Sequence, residues 1–237
     1  DAGGRNVAVG KGALESQNGG DANVFNIGIG YHAGNSMTSG TLNTIIGGNA
    51  GDALTTGSSN IAIGYNALST EDTGQANIAI GQGALQTANF DGTGYNVAVG
   101  HEAGKLITTG VRNTVIGSLA GAALTTCQFN VALGFNSLSS EDDHGRNTAI
   151  GTNTLQAQNA GANGFNVAVG YDAGFSVTTG TQNTIIGALA GDALTTGGNN
   201  VAVGYAALSS EDTGGKNTAI GWNAMSSLDA GGNGNNV

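Results

Sequence analysis

A short pattern of apolar and polar positions recurs along the whole chain: an asparagine, three residues that are apolar or small, then a glycine. Asn60-Ile61-Ala62-Ile63-Gly64 and Asn113-Thr114-Val115-Ile116-Gly117 are two examples. The apolar stretch is rich in β-branched residues and only three residues long, which predicts short strands separated by turns and leaves no room for a helix pair. Successive side chains of a strand point to opposite faces, so a sheet with one wet face alternates apolar with polar residues. Here both faces read as apolar, as in Thr184-Ile185-Ile186.

The motif asparagines are Asn6, Asn26, Asn43, Asn60, Asn77, Asn96, Asn113, Asn130, Asn147, Asn166, Asn183, Asn200, Asn217 and Asn236. Their spacings are 20, 17, 17, 17, 19, 17, 17, 17, 19, 17, 17, 17 and 19. Four units form a superperiod of 70 residues, covering 26–95, 96–165 and 166–235. The unit types, A to D, start at Asn26, Asn43, Asn60 and Asn77 in the first superperiod. Asp1 to Asn6 aligns with Asp212 to Asn217, and the last two residues open a new type A unit. Both ends therefore fall inside a repeat, as expected of an excerpt from a longer array.

Repeats of this length, each unable to bury its apolar face alone, predict a stacked architecture in which every unit contacts mainly its neighbours. The expected fold is all-β: residues 1–237 form a single parallel β-solenoid, or β-roll, of about 13 coils of 17–20 residues. Strands stacked at about 4.8 Å would make a rod about 62 Å long. The glycine after each strand suits a corner with positive φ. The Thr-Thr-Gly stretches at 55–57, 108–110, 178–180 and 195–197 mark a second corner, where Cys127 replaces the glycine and predicts a strained or altered turn. The asparagines would form a ladder, each amide bonded to those above and below. Proline is absent because a strand paired on both sides cannot lose an N–H. One apolar strand face fills the coil with Ala67, Leu68 and their equivalents. The other needs a covering layer, most economically further copies of the chain about a common axis.

NVAVGKGAL, NIAIGYNAL and NVAVGYAAL resemble the YadA-like head repeats of trimeric autotransporter adhesins, and similar repeats in bacteriophage tail-fibre proteins. The resemblance covers essentially the whole chain. It implies a left-handed parallel β-roll, an intertwined or side-by-side homotrimer, and display outside the cell, on a bacterial outer membrane or a virion tail fibre. The implied task is attachment to a host-surface glycan or protein receptor. Two departures from the family stand out: the coils are longer than its usual head repeat, and they are ordered in fours.

Composition narrows the partners. The chain has 44 glycines, no proline and 9% charged residues, yet 39% hydrophobic ones. That hydrophobic fraction disfavours disorder, and collagen's Gly-X-Y register is missing. A net charge of -10 repels nucleic acid and anionic bilayers, so neither nucleic acid nor direct membrane contact is expected. No apolar run approaches the ~20 residues of a membrane span, and no leader opens the sequence. The lone Cys127 makes no intrachain disulfide.

Catalytic signatures are missing: there is no GxSxG elbow, HExxH, Walker loop or dinucleotide fingerprint. No enzyme activity and no cofactor are expected, and His32, His101 and His144 read as scattered surface residues. Glu71-Asp72, Glu141-Asp142 and Glu211-Asp212 recur on one corner every fourth coil. Calcium takes 6 to 8 oxygen ligands, so these pairs read as a solvated, solubilising corner with no metal. The candidate ligand contacts are aromatics beside the strand motif, namely Tyr31, Tyr65, Tyr171, Tyr205, Phe135 and Trp222; such columns suit stacking on sugar rings, while packing over the corner glycines is the plainer role. A passive spacer is the main rival to an adhesive head. An ice-binding solenoid is a weaker one: Thr55-Thr56, Thr125-Thr126 and Thr195-Thr196 recur, but types C and D break the column.

Overall fold

The computed structural model describes residues 5–18, 24–229, 231–232 and 234–237. The alignment of Asp1 to Gly4 with a type C corner lies outside them. The chain divides into two compact units, one running to Val115 and one starting at Ile116. In the first, β1 (Val7–Val9), β2 (Ile27–Ile29), β3 (Thr44–Ile46), β4 (Ile61–Ile63), β5 (Ile78–Ile80) and β6 (Val97–Val99) pair in chain order, each parallel to the next. The strand β7 (Thr114–Ile116) spans the boundary. In the second, β8 (Val131–Leu133), β9 (Thr148–Ile150), β10 (Val167–Val169), β11 (Thr184–Ile186), β12 (Val201–Val203) and β13 (Thr218–Ile220) repeat that order. Each unit is a parallel β-solenoid, and no helix occurs among the described residues.

Register follows the repeat without a slip, with Ile61 opposite Ile78, Ala62 opposite Ala79 and Ile63 opposite Ile80. The middle residue of the strand points into the coil: Ile45, Ala62, Ala79 and Ile185 are fully buried. Ala67, Leu68 and their equivalents join them, as the sequence predicts. The residues on either side face outward and are only half-buried. Among them Val9 is 56%, Leu133 41% and Ile220 68% exposed in a single chain. Apolar residues on both faces thus mean a dry interior and an apolar outer surface.

Turns account for the rest of each coil. Gly47 has φ 132, a value L side chains rarely adopt, and a Cβ there would come within 2.6 Å of the Gly64 carbonyl oxygen in the next coil. Conformation and space both demand glycine. The Thr-Thr-Gly corner differs. Gly57 needs no positive φ; its constraint is space, because a Cβ would lie 2.5 Å from the Gly74 carbonyl oxygen. Cys127, at the equivalent position, therefore has no φ strain, which leaves the altered turn of the two expected outcomes, and its side chain is buried.

The asparagine ladder exists with different partners. Asn43 Oδ1 accepts from the backbone N–H of Asn60 at 2.9 Å, and Asn60 Oδ1 from that of Asn77 at 3.0 Å. Asn43 and Asn60 donate through Nδ2 to the carbonyls of Gly57 and Gly74, both at 2.8 Å. Amide-to-amide contacts are secondary, as between Asn77 Nδ2 and Asn60 Oδ1 at 3.1 Å. The side chain closes its own coil and caps the next, satisfying buried backbone groups that a turn leaves over.

Candidate functional site

Two kinds of surface emerge from this scaffold. The first is a set of exposed rings. The residue after the corner glycine projects outward, and all six predicted aromatics are exposed there: Tyr31, Tyr65, Phe135, Tyr171 and Tyr205 to about half, Trp222 to 74%. They occupy type A and C coils, with Trp222 in type D, and small residues such as Gly48 and Ala188 stand between. Rings two coils apart are thus separated by about 9.6 Å, twice the strand spacing. Two of the rings also pack against neighbouring residues. A Cβ on Gly48 would meet the Tyr65 ring at 3.4 Å, and Tyr31 stacks on His32 with centroids 4.0 Å apart.

A second row, one residue before each motif asparagine, was only partly legible. Phe25, Tyr95 and Phe165 stand out by type, but the residues between them matter as much. In the second unit the Arg146 guanidinium lies 5.8 Å from the Phe129 ring centre and 5.6 Å from that of Phe165, bridging two coils. Each such contact contributes about 0.5–1 kcal/mol at an exposed site. Aligning the coils by their last residue reveals this column. A cleft of about 230 Å³ opens beside it, lined by Phe129, Asp143, Arg146 and Asn163.

The acidic corner overturns its expected role. Glu71, Glu141 and Glu211 are fully buried, and only their neighbours Asp72, Asp142 and Asp212 reach solvent. The glutamate occupies the column that holds Met37, Leu54, Ile107 and Leu124 in other coils, and its carboxyl turns back onto the turn that follows. Glu71 accepts from Gly74 N–H at 2.7 Å and from Phe90 N–H at 3.3 Å. Glu211 accepts from Gly214 N–H at 2.6 Å. Burial raises the Glu71 carboxyl above the usual range, with those amides pulling the other way, and pushes Glu141 up to about 7. Burial, aided by the Glu141 carboxylate, pushes the Cys127 thiol up to about 12.

His144 is likewise no free surface residue, since its Nδ1 is buried. His32 stacks on Tyr31, and His101 occupies the ring position of its own coil. No family model, curated protein or solved structure matches the chain.

Proposed function

We propose that the chain is a structural and adhesive segment of a surface-displayed fibre, a left-handed β-roll that assembles as a homotrimer and attaches to a host cell or surface. The carrying observation is the repeated outer face of the strands, with Val9, Ile29, Leu133, Val167, Ile186 and Ile220 all more than a third exposed in one chain. Contiguous apolar surface of this kind marks an interaction site. A threefold arrangement covers it identically in every coil, which suits a fibre whose length grows by repetition. The location implied is extracellular, on a bacterial outer membrane or a virion tail fibre.

Adhesion is assigned to the exposed rings, because aromatic faces stack on sugar rings or on apolar receptor groups, and repeated weak contacts add through avidity. An array of host glycans probed with labelled chain tests this. Binding that falls when Tyr65, Tyr171 and Tyr205 are replaced by alanine supports it. No binding to glycans or to cells would favour the passive spacer of a viral or phage tail fibre. Ice binding has less support, since Thr55, Thr125 and Thr195 donate their hydroxyls to the carbonyls of Asp72, Asp142 and Asp212 in the next coil.

A further inference from the structure

The second superperiod breaks the glycine rule twice at one corner. Position fifteen of the coil is Gly57 and Gly74 in the first superperiod and Gly197 and Gly214 in the third, but Cys127 and His144 in the second. A glycine there is no accident: a Cβ on Gly74 would lie 2.5 Å from Glu71 Cδ. His144 carries that Cβ, and the carboxyl beneath it has given way. The bond from the position-fifteen N–H to the glutamate Oε1 is 2.7 Å in the first superperiod and 2.6 Å in the third, but 3.2 Å from His144 to Glu141.

Two polar atoms at this corner, Glu141 Oε2 and His144 Nδ1, are buried without a hydrogen bond of normal geometry, although the Ala160 N–H still draws on the Glu141 carboxyl as Phe90 N–H does on Glu71. Such orphaned atoms are costly, typically about 1–3 kcal/mol each. Glu141 is completely buried, and it, Asp142 and His144 each offer a ligand atom, all within 4.8 Å of one another. Tetrahedral coordination with bonds of about 2.1 Å places ligand atoms about 3.4 Å apart, so side-chain rotations alone would close the set. An imidazole nitrogen beside two carboxylates suits a first-row transition ion better than calcium, which takes an all-oxygen set of 6 to 8 ligands. At Glu71-Asp72 and Glu211-Asp212, position fifteen is a glycine and supplies no such nitrogen.

We infer that Glu141, Asp142 and His144 form a binding site for a divalent transition-metal ion, built by placing a histidine where the repeat demands glycine above a buried glutamate. The ion replaces the missing hydrogen bonds of both orphaned atoms, and water fills its remaining positions. It locks a corner in the middle of the array.

Calorimetric titration of zinc chloride into the chain, carrying no polyhistidine tag, tests the site, with cobalt(II) absorption as a second readout. One zinc per chain is expected, together with visible cobalt bands that zinc abolishes. His144→Gly restores the residue of the flanking superperiods and should fold at least as well, as judged by its thermal melt, while weakening zinc binding at least about tenfold. Glu141→Gln keeps the side-chain shape and should weaken it likewise. Calcium should give no stoichiometric heat. The inference is overturned if zinc does not bind at one per chain, if both variants bind as tightly as the parent, or if calcium binds as well as zinc.

Discussion

Two neighbouring coils of the first unit, 43–59 and 60–76, follow the same path yet fill their interiors by different means. In the first, the strand supplies Ile45 and the far corner Leu54, both fully buried, and Gly51 between them stays bare. A Cβ on Gly51 would lie 2.9 Å from Leu54 Cδ1 and 3.1 Å from Ile45 Cδ1. In the second, the strand residue shrinks to Ala62, the position of Gly51 becomes Leu68, and Glu71 replaces Leu54. Leu68 takes up the apolar volume from the opposite wall, which frees the corner for a carboxyl that caps Gly74 N–H. Interior volume is shared among these columns, so between these two coils the exchange at one is matched at the other two.

The largest effect expected from disturbing this arrangement is on the first coil's anchor. Leu54→Ala leaves a cavity that the stacked backbone cannot close, and chemical denaturation should show a loss of about 2–5 kcal/mol. Close behind is Asn60→Ala, which strips the acceptor from Asn77 N–H and the donor from the Gly74 carbonyl in the same step. Two buried backbone groups left bare cost about 2–4 kcal/mol, read in the same denaturation experiment. Gly51→Leu overfills the first coil and should cost about 1–3 kcal/mol. Adding Ile45→Ala and Leu54→Glu to it converts the coil to the second pattern and should recover stability; a triple variant weaker than Gly51→Leu alone would break the comparison.

The remaining effect is a pH dependence. Because Glu141 has its carboxyl raised from 4.5 to about 7 by burial, the folded state holds a proton that the unfolded chain has released. Its contribution to stability is fully present below pH 4.5 and is lost as pH rises toward 7. Glu141→Gln should abolish that slope in melts recorded in chelator, and a variant with the parent's slope would assign it to another group.

Much of the architecture is legible in the amino-acid sequence because a solenoid writes one structural role at one position in every coil. The strand register, the corner glycine and the buried Ala67 and Leu68 follow from aligning the units. What stays hidden is where a polar residue points. Glu71 beside Asp72 reads as a wet corner, and only its alignment with Leu54 hints that it lies inside. The asparagine ladder was visible as a column, but its bonds to backbone N–H and carbonyl groups depend on how the turn brings Gly57 and Gly74 under the amide. The rings were found by type, whereas the bridging Arg146 needed the geometry of adjacent coils.

In the proposed trimer the outer strand face is covered by two further copies of the chain. Sedimentation equilibrium of the purified chain measures this directly. A trimer gives a single species with three times the 23.1 kDa chain mass across the accessible concentration range. A species of 23.1 kDa, stable and folded with its strand faces in water, would contradict it.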